Sequence, residues 1–122
     1  WCSLGHTSAK VTLRSPDQTR AESMELLVDT GSTYTWVSNV MLKKLGVEAK
    51  TVRKFKTIDG RLLERSVGEA LIECLDESAT TIVVFAEKGD AEVLGVHALE
   101  GLGLEVDPTT KQLRKAEALL AL

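Results

Sequence analysis

The chain of 122 residues has a formal net charge of −3 at pH 7, with 43% hydrophobic and 27% charged residues. This length suits one domain with one modest core, and the composition is that of an ordinary globular protein. The acidic balance and the lack of a dense basic run exclude the usual pattern of a nucleic-acid binder. We predict a single domain over residues 1–122, with a core at about residues 9–113 and a C-terminal tail at residues 114–122.

Neither a membrane segment nor a metal site is predicted. No apolar run approaches the roughly 18 residues that span a bilayer, and the N-terminus lacks the basic and apolar segments of a signal peptide. We therefore expect a cytoplasmic protein without membrane contact, although the chain starts at Trp1 and any targeting signal upstream would be missing. Cys2, Cys74, His6 and His97 lack metal-ligand spacing, so no metal and no other cofactor is expected.

The first half of the chain predicts strands, a loop and one helix. Residues 9–14 alternate apolar with polar side chains and predict a half-buried strand, and the polar, Pro-bearing residues 15–22 predict a hairpin loop. The apolar run Leu26–Val28 predicts a strand that leads into a turn. At residues 38–46 a Ser cap, apolar residues at helical spacing, late Lys residues and a final Gly predict a short helix.

The middle of the chain predicts a projecting hairpin. Extended runs at residues 52–57 and 62–65 flank Ile58–Arg61, which contains Asp-Gly. An Asp-Gly pair between extended runs is a strong hairpin signal. Since this hairpin is polar, we expect it to project from the domain.

The second half of the chain adds further short strands. Residues 67–74 alternate and predict a half-buried strand, and the β-branched, apolar residues 80–85 predict a central strand. About seven short strands with one or two short helices, and no long amphipathic helix between strands, predict the mainly β class. The remaining predicted elements are a short strand at 92–95, a helical turn at 98–102, a strand at 104–106, a turn at 107–111 and a tail at 112–122 that is helical or frayed.

The segment Leu26–Thr33, LLVDTGST, carries the clearest functional signal. Alone, a strand that ends in Asp-x-Gly is ordinary, because Asp, Gly and Ser are common turn residues. Together with the helix that ends in Leu45–Gly46, the Asp-Gly hairpin and the later Val93–Val96, it resembles the retropepsin-like, single-lobe aspartic peptidases, including the bacterial and archaeal members. The resemblance covers residues 10–113 and implies a closed β-barrel or sandwich of short strands with one or two short helices.

The resemblance places a catalytic carboxylate at Asp29. Metal-free peptide hydrolysis needs an activated water and a protonated carbonyl oxygen, which two adjacent carboxylates that share one proton supply. No second Asp-Thr-Gly or Asp-Ser-Gly occurs, since Asp59, Asp76 and Asp107 are followed by other residues. The resemblance therefore implies a symmetric homodimer in which each subunit contributes one Asp29.

Three neighbours of Asp29 are expected to support the catalytic loop. The resemblance implies that Thr30 bonds across the dimer, and Gly31 lets backbone segments approach closely. For Ser32 two roles stay open, namely donation to the Asp29 carboxylate or a turn hydroxyl bonded to nearby backbone.

Leu94 and Gly95 match the second signature of the family, where the chain crosses beneath the catalytic loop and supports it. Val96 follows where retroviral members usually carry an Arg that ties the dimer together. The dimer contacts are therefore expected to differ in detail.

The residues Thr57, Ile58, Asp59, Gly60 and Arg61 occupy the flap position of the family. The resemblance implies that this hairpin closes over an extended peptide and excludes water, whereas the alternative is an ordinary surface hairpin. Asp59 and Arg61 make it more polar than the glycine-rich flaps of viral members, which suggests a polar or charged substrate side chain.

For other large side chains, the sequence favours structural roles over a role in the site. Trp36 is expected to be a core or interface aromatic rather than a surface on which substrate stacks. A solvated face, rather than an anion site, is expected for the cations Lys43, Lys44, Arg53, Lys54 and Lys56.

The leading hypothesis is thus an aspartic endopeptidase that acts on extended peptides. The alternative is a catalytically weak or inactive retropepsin-like module for dimerisation or peptide binding. The intact Asp-Thr-Gly-Ser favours the peptidase, because a pure binder has no need for a like-charge pair that costs free energy. Metal-dependent hydrolysis is a third hypothesis, disfavoured because His, Cys and carboxylate residues are not clustered.

Overall fold

The structure, a computed structural model, describes residues 7–117. Within that range lie nine strands and two short helices, so the chain is mainly β, as predicted. Neither of the two helices in this range is long and apolar enough to cross a membrane. The elements in chain order are β1 (Thr7–Arg14), β2 (Ala21–Val28), β3 (Thr35–Ser38), α1 (Asn39–Lys44), β4 (Thr51–Lys56), β5 (Leu62–Cys74), β6 (Glu77–Ala86), β7 (Val93–Leu94), α2 (Val96–Leu102), β8 (Leu104–Val106) and β9 (Leu113–Lys115).

Seven strands form one sheet in the order β1-β2-β7-β3-β6-β5-β4, and β8 pairs with β9. β1 also pairs with β5, with Leu13 opposite Ile72, so that six of these strands close into a ring. Closure satisfies the backbone groups that an open sheet would leave at its edges. β4 stands outside the ring and pairs with the first half of β5, which carries the β4–β5 hairpin away from the ring.

The hydrophobic core fills the ring and the space beneath the two helices. Alternate residues of β1, among them Val11 and Leu13, are buried with 1% and 0% of their surface exposed. This alternation follows from the two-residue period of a strand with one face inward. Helix α1 contributes Leu42, and helix α2 contributes Ala98, Leu99 and Leu102.

The short helix occurs where it was predicted, but its capping differs. α1 is followed by Gly46 with φ of +79°, the expected glycine stop. Ser38 is the N-cap residue, as predicted, but its side chain makes no capping hydrogen bond. Ser38 is the last residue of β3, paired with Ala86, and its backbone N–H donates instead to Glu92 Oε1 at 2.9 Å.

The strands depart most from the sequence expectations in three places, apart from shifts of one to three residues at other strand ends. The runs predicted separately at 62–65 and 67–74 form one strand of 13 residues, β5. The four-residue strand β3 was not predicted, since it directly follows the turn motif and is too short to show a period. β2 begins at Ala21, inside the predicted loop.

The tail prediction is wrong for Leu113–Lys115, which form β9 rather than a helix or a frayed end. A turn reverses the chain, with the Asp107 carboxylate accepting from the Thr109 N–H at 2.8 Å. Arg114 then pairs with Glu105 across the two strands. Cross-strand pairing thus outweighs the helix propensity of this segment, while residues 118–122 lie outside the described range.

Candidate active site

Asp29 is the first residue after β2 and opens a tight turn. Its backbone N–H donates to Leu94 O at 3.0 Å, and its backbone carbonyl accepts from the Ser32 N–H at 3.1 Å. The Gly31 N–H donates to the carboxylate oxygen Oδ1 at 2.9 Å. These bonds fix the carboxylate at the end of the strand, where the residue is exposed in the single chain.

The segment that begins at Asp29, residues 29–35, is called the Asp29 loop here, and the start of helix α2 holds it in place. The Val96 N–H donates to Ser32 O at 2.8 Å, and the His97 N–H donates to Thr33 O at 2.9 Å. The structure therefore brings the Asp-Thr-Gly-Ser turn and the Leu-Gly pair together, which is the contact that the resemblance implies.

Gly95 sits at the closest approach between these two segments. A Cβ atom there would lie 2.4 Å from Tyr34 O and 2.9 Å from Ser32 O. The Gly95 N–H donates to Oγ1 of Thr35, a side chain with none of its surface exposed. Only a residue without a side chain fits this crossing undistorted.

Of the two roles left open for Ser32, the structure shows the turn hydroxyl. Ser32 Oγ donates to Tyr34 O at 2.8 Å. A Cβ at Gly31 would lie 3.2 Å from Asp29 Oδ1, so the tight contact is with the Asp29 side chain and not with a second backbone segment. Thr30 is exposed, so its hydroxyl is accessible to a partner surface.

The predicted hairpin forms, with a turn stabilised by its own residues. The Thr57 N–H donates to Arg61 O at 2.9 Å, and Gly60, with φ of +87°, adopts a conformation that favours glycine. Asp59 accepts from the Thr57 hydroxyl and pairs with Arg61, whose Nε lies 3.2 Å from Oδ2. The Thr57 hydroxyl holds the pKa of Asp59 below its ordinary value, and Ile58 is fully exposed at the tip.

A cleft of about 690 Å³ separates the Asp29 loop from this hairpin. Asp29 and the turn residues Thr57, Ile58 and Arg61 line it together, whereas Asp59 and Gly60 do not. The flap-position hairpin and the candidate catalytic carboxylate therefore face the same space. The other lining residues include Gly31, Ser32, Thr33, Tyr34, Trp36, Arg53, Lys54, Phe55, Lys56 and Asp90.

Aromatic side chains form one wall of the cleft. Trp36 and Phe55 pack edge to face with ring centroids 5.0 Å apart, and Tyr34 lies 6.3 Å from Phe55. Trp36 is half-buried, so it both packs against β4 and borders the cleft. Sequence reasoning missed Tyr34 and Phe55 as wall residues.

Asp90, which lines the cleft, forms an ion pair with Arg65, which does not. Arg65 Nε lies 2.7 Å from Asp90 Oδ2, and each side chain has 13% of its surface exposed. Asp90 also accepts from the Glu87 N–H at 2.8 Å. The hydrogen bond from Arg65 lowers the pKa of Asp90, and the same bond raises the pKa of Arg65. Sequence reasoning did not identify this pair.

Metal ligands are not clustered in this part of the chain: within residues 7–117, no three His, Cys, Asp or Glu side chains lie close enough together to hold an ion.

Comparison of the sequence with models of protein families gives no match, and a search of curated proteins gives no relative.

Proposed function

We propose that this protein is an aspartic endopeptidase with a retropepsin-like fold, active as a homodimer to which each subunit contributes Asp29. The observation that carries the proposal is the bonded junction of the two motif segments. Asp29 is tied to Leu94, and the loop carbonyls of Ser32 and Thr33 are tied to the backbone just after Gly95. A turn that served only to end a strand would not need these additional hydrogen bonds from the start of α2.

The fold agrees with this proposal. Six strands close into a ring, and the β4–β5 hairpin leaves the ring on the side of Asp29. A single lobe with a projecting hairpin over its carboxylate is the arrangement that the resemblance implies. The exposed Asp29 and Thr30 leave the loop free to meet its copy in a second subunit.

The chemistry follows from two such carboxylates at a two-fold axis. Two like charges in contact do not both ionise, so the pair holds one proton between them. The ionised member takes a proton from water, whose oxygen attacks the peptide carbonyl carbon while the protonated member donates to the carbonyl oxygen. The carbon–nitrogen bond then breaks, and a proton passes to the leaving amine.

The substrate would be an extended peptide. The cleft volume of about 690 Å³ falls within the range of about 300–1,000 Å³ that is usual for ligand pockets. A peptide laid between the Asp29 loop and the hairpin would pair with backbone groups as an added strand. Closure of the hairpin would then exclude water from the reaction. The cytoplasmic location expected from the sequence stays a prediction.

The experiment that tests this proposal is cleavage of a diverse peptide mixture, read by mass spectrometry from about pH 3 to about pH 8. Wild type and Asp29→Asn are compared, because Asn retains an oxygen that accepts from the Gly31 N–H. Asp76→Asn is the matched control, since Asp76 lies in an exposed turn with φ of +67° that Asn also adopts.

The proposal predicts cleavage by wild type and Asp76→Asn, with an acid-side bell in the pH profile, and none by Asp29→Asn. Cleavage by Asp29→Asn at the wild-type rate would contradict the assigned role of Asp29. No cleavage by any of the three, from protein shown to be dimeric, would favour the peptide-binding module instead.

A further inference from the structure

The cleft carries a surplus of positive charge although the chain as a whole is negative. Arg53, Lys54 and Lys56 all line it, and none forms an ion pair within residues 7–117. The acidic lining residues are Asp29 and Asp90, and Asp90 is already bound to a cation. The cleft therefore offers uncompensated cations to whatever enters it.

Arg53 is the one of these cations that the structure holds in a defined position. Residues alternate along β4, so Arg53 and Phe55 share the face that packs toward Tyr34. Arg53 Nη1 donates to the Tyr34 hydroxyl at 2.5 Å, and the guanidinium lies 5.2 Å from the centre of that ring. The other guanidinium N–H groups remain available to a planar carboxylate.

The hairpin register places another cation, not a carboxylate, opposite Arg53. Arg53 stands directly opposite Arg65 across β4 and β5. Like charges in such a cross-strand pair repel one another. Asp90 compensates Arg65, while among the described residues no carboxylate does the same for Arg53.

We propose that Arg53 is a specificity-determining residue that binds a Glu or Asp side chain of the peptide substrate. This inference rests on the proposed function, since it assigns the cleft to a peptide. It replaces the suggestion that the hairpin tip selects a polar or charged substrate side chain, because the charges of Arg61 and Asp59 compensate each other at the tip. It also gives Arg53 a role beyond the solvated face that the sequence favours.

The first test uses a peptide that wild type cleaves, resynthesised with Glu, Gln or Lys at each position around the cleaved bond in turn. At one position we expect Glu to exceed Gln in kcat/KM by about tenfold, which corresponds to about 1.4 kcal/mol. Arg53→Gln should reduce that ratio to about one, and Arg53→Glu should reverse it in favour of Lys. Arg53→Lys should retain part of it, because the charge remains while the planar fork is lost.

Two controls separate recognition from general electrostatics. Lys43→Gln removes one positive charge on α1, outside the cleft, and should leave the ratio unchanged. Added salt should lower the ratio in wild type, because a partly exposed ion pair is screened. An equal Glu-to-Gln ratio in wild type and Arg53→Gln overturns the inference, even if both enzymes cleave peptides.

A second test does not depend on cleavage. A randomised peptide library is selected for binding to Asp29→Asn and to the double variant Asp29→Asn with Arg53→Gln. We expect Glu and Asp to be enriched about tenfold more by the first protein than by the second. If Asp29→Asn enriches Glu and Asp but wild type cleaves no peptide, the peptidase proposal is refuted and the role of Arg53 stands. If both variants enrich Glu and Asp equally, or if neither binds a peptide, the role of Arg53 is refuted.

Discussion

Gly95→Ala adds one methyl group where the chain crosses beneath the Asp29 loop. The added carbon would lie 2.4 Å from Tyr34 O, 2.5 Å from Tyr34 C and 2.9 Å from Ser32 O. An ordinary carbon–oxygen contact is about 3.3 Å, so the two backbone segments would have to separate by nearly 1 Å. Gly95 has φ of −94° and ψ of 173°, which Ala adopts freely, so the cost comes from the contact and not from backbone strain.

The size of the effect follows from what must move. Overpacking a site that cannot relax costs about 1–3 kcal/mol. Separation of the segments also weakens the bonds from Val96 to Ser32 and from His97 to Thr33, each worth about 1 kcal/mol. We therefore expect the free energy of unfolding to fall by about 3–5 kcal/mol if both bonds are lost, a large part of the about 5–15 kcal/mol usual for a domain. Peptide cleavage should fall with it, because the same bonds position the Asp29 loop.

Urea unfolding, followed by tryptophan fluorescence at one protein concentration, measures this change. Gly101→Ala is the matched control, because Gly101 lies in helix α2 and a Cβ there meets Ala79 Cβ at an ordinary 3.4 Å. That variant should gain about 0.5–1 kcal/mol from helix propensity. A Gly95→Ala protein within about 0.5 kcal/mol of wild type, with full activity, would refute the reasoning.

Three further predictions concern the ion pair, the hairpin and the dimer. Asp90→Asn should lower the free energy of unfolding by about 2 kcal/mol at pH 7, because it breaks the bonds to the mostly buried Arg65. The pKa of Asp90 is lower in the folded protein than in the unfolded chain, where it is about 4. This contribution to stability is therefore fully present above about pH 4, and it is lost as the pH falls through the pKa of Asp90 in the folded protein. Urea midpoints of wild type and variant should therefore draw together as the pH is lowered below about 4, and a gap that stays constant with pH would contradict this assignment. Gly60→Pro should reduce turnover about tenfold, because proline cannot adopt φ of +87° and removes the N–H that donates to Thr57 O, so the turn is distorted; an unchanged rate would show that the hairpin is not a lid. The rate per chain should rise with protein concentration and then level off as the dimer forms, and a constant rate from a single-chain mass in sedimentation would argue against a shared site.

Features that depend on neighbouring residues could be predicted from the sequence. The turn at residues 57–61 follows from the Asp-Gly pair, and the end of α1 follows from Gly46. The approach of Leu94 and Gly95 to Asp29 is a long-range contact, and it was expected only because the resemblance to the retropepsin-like family implies it.

Features that depend on strand register could not be predicted. Arg53 and Tyr34 are 19 residues apart, and Arg65 and Asp90 are 25 apart, so their contacts exist only once β3, β4, β5 and β6 are aligned. The only local sign was that Arg53 and Phe55 lie two residues apart on one strand face. The strand β9 was missed for the same reason, since its residues favour a helix until β8 offers a pairing edge.

The central claim is that two subunits share one pair of carboxylates, and subunit mixing tests it most directly. Wild type and Asp29→Asn are combined at a constant total concentration, above the dimer dissociation constant, and allowed to exchange before peptide cleavage is measured. If each site needs Asp29 from both chains, activity follows the square of the wild-type fraction, so an equal mixture retains about one quarter of the wild-type rate. Activity proportional to the wild-type fraction, about one half in the equal mixture, would contradict the shared site.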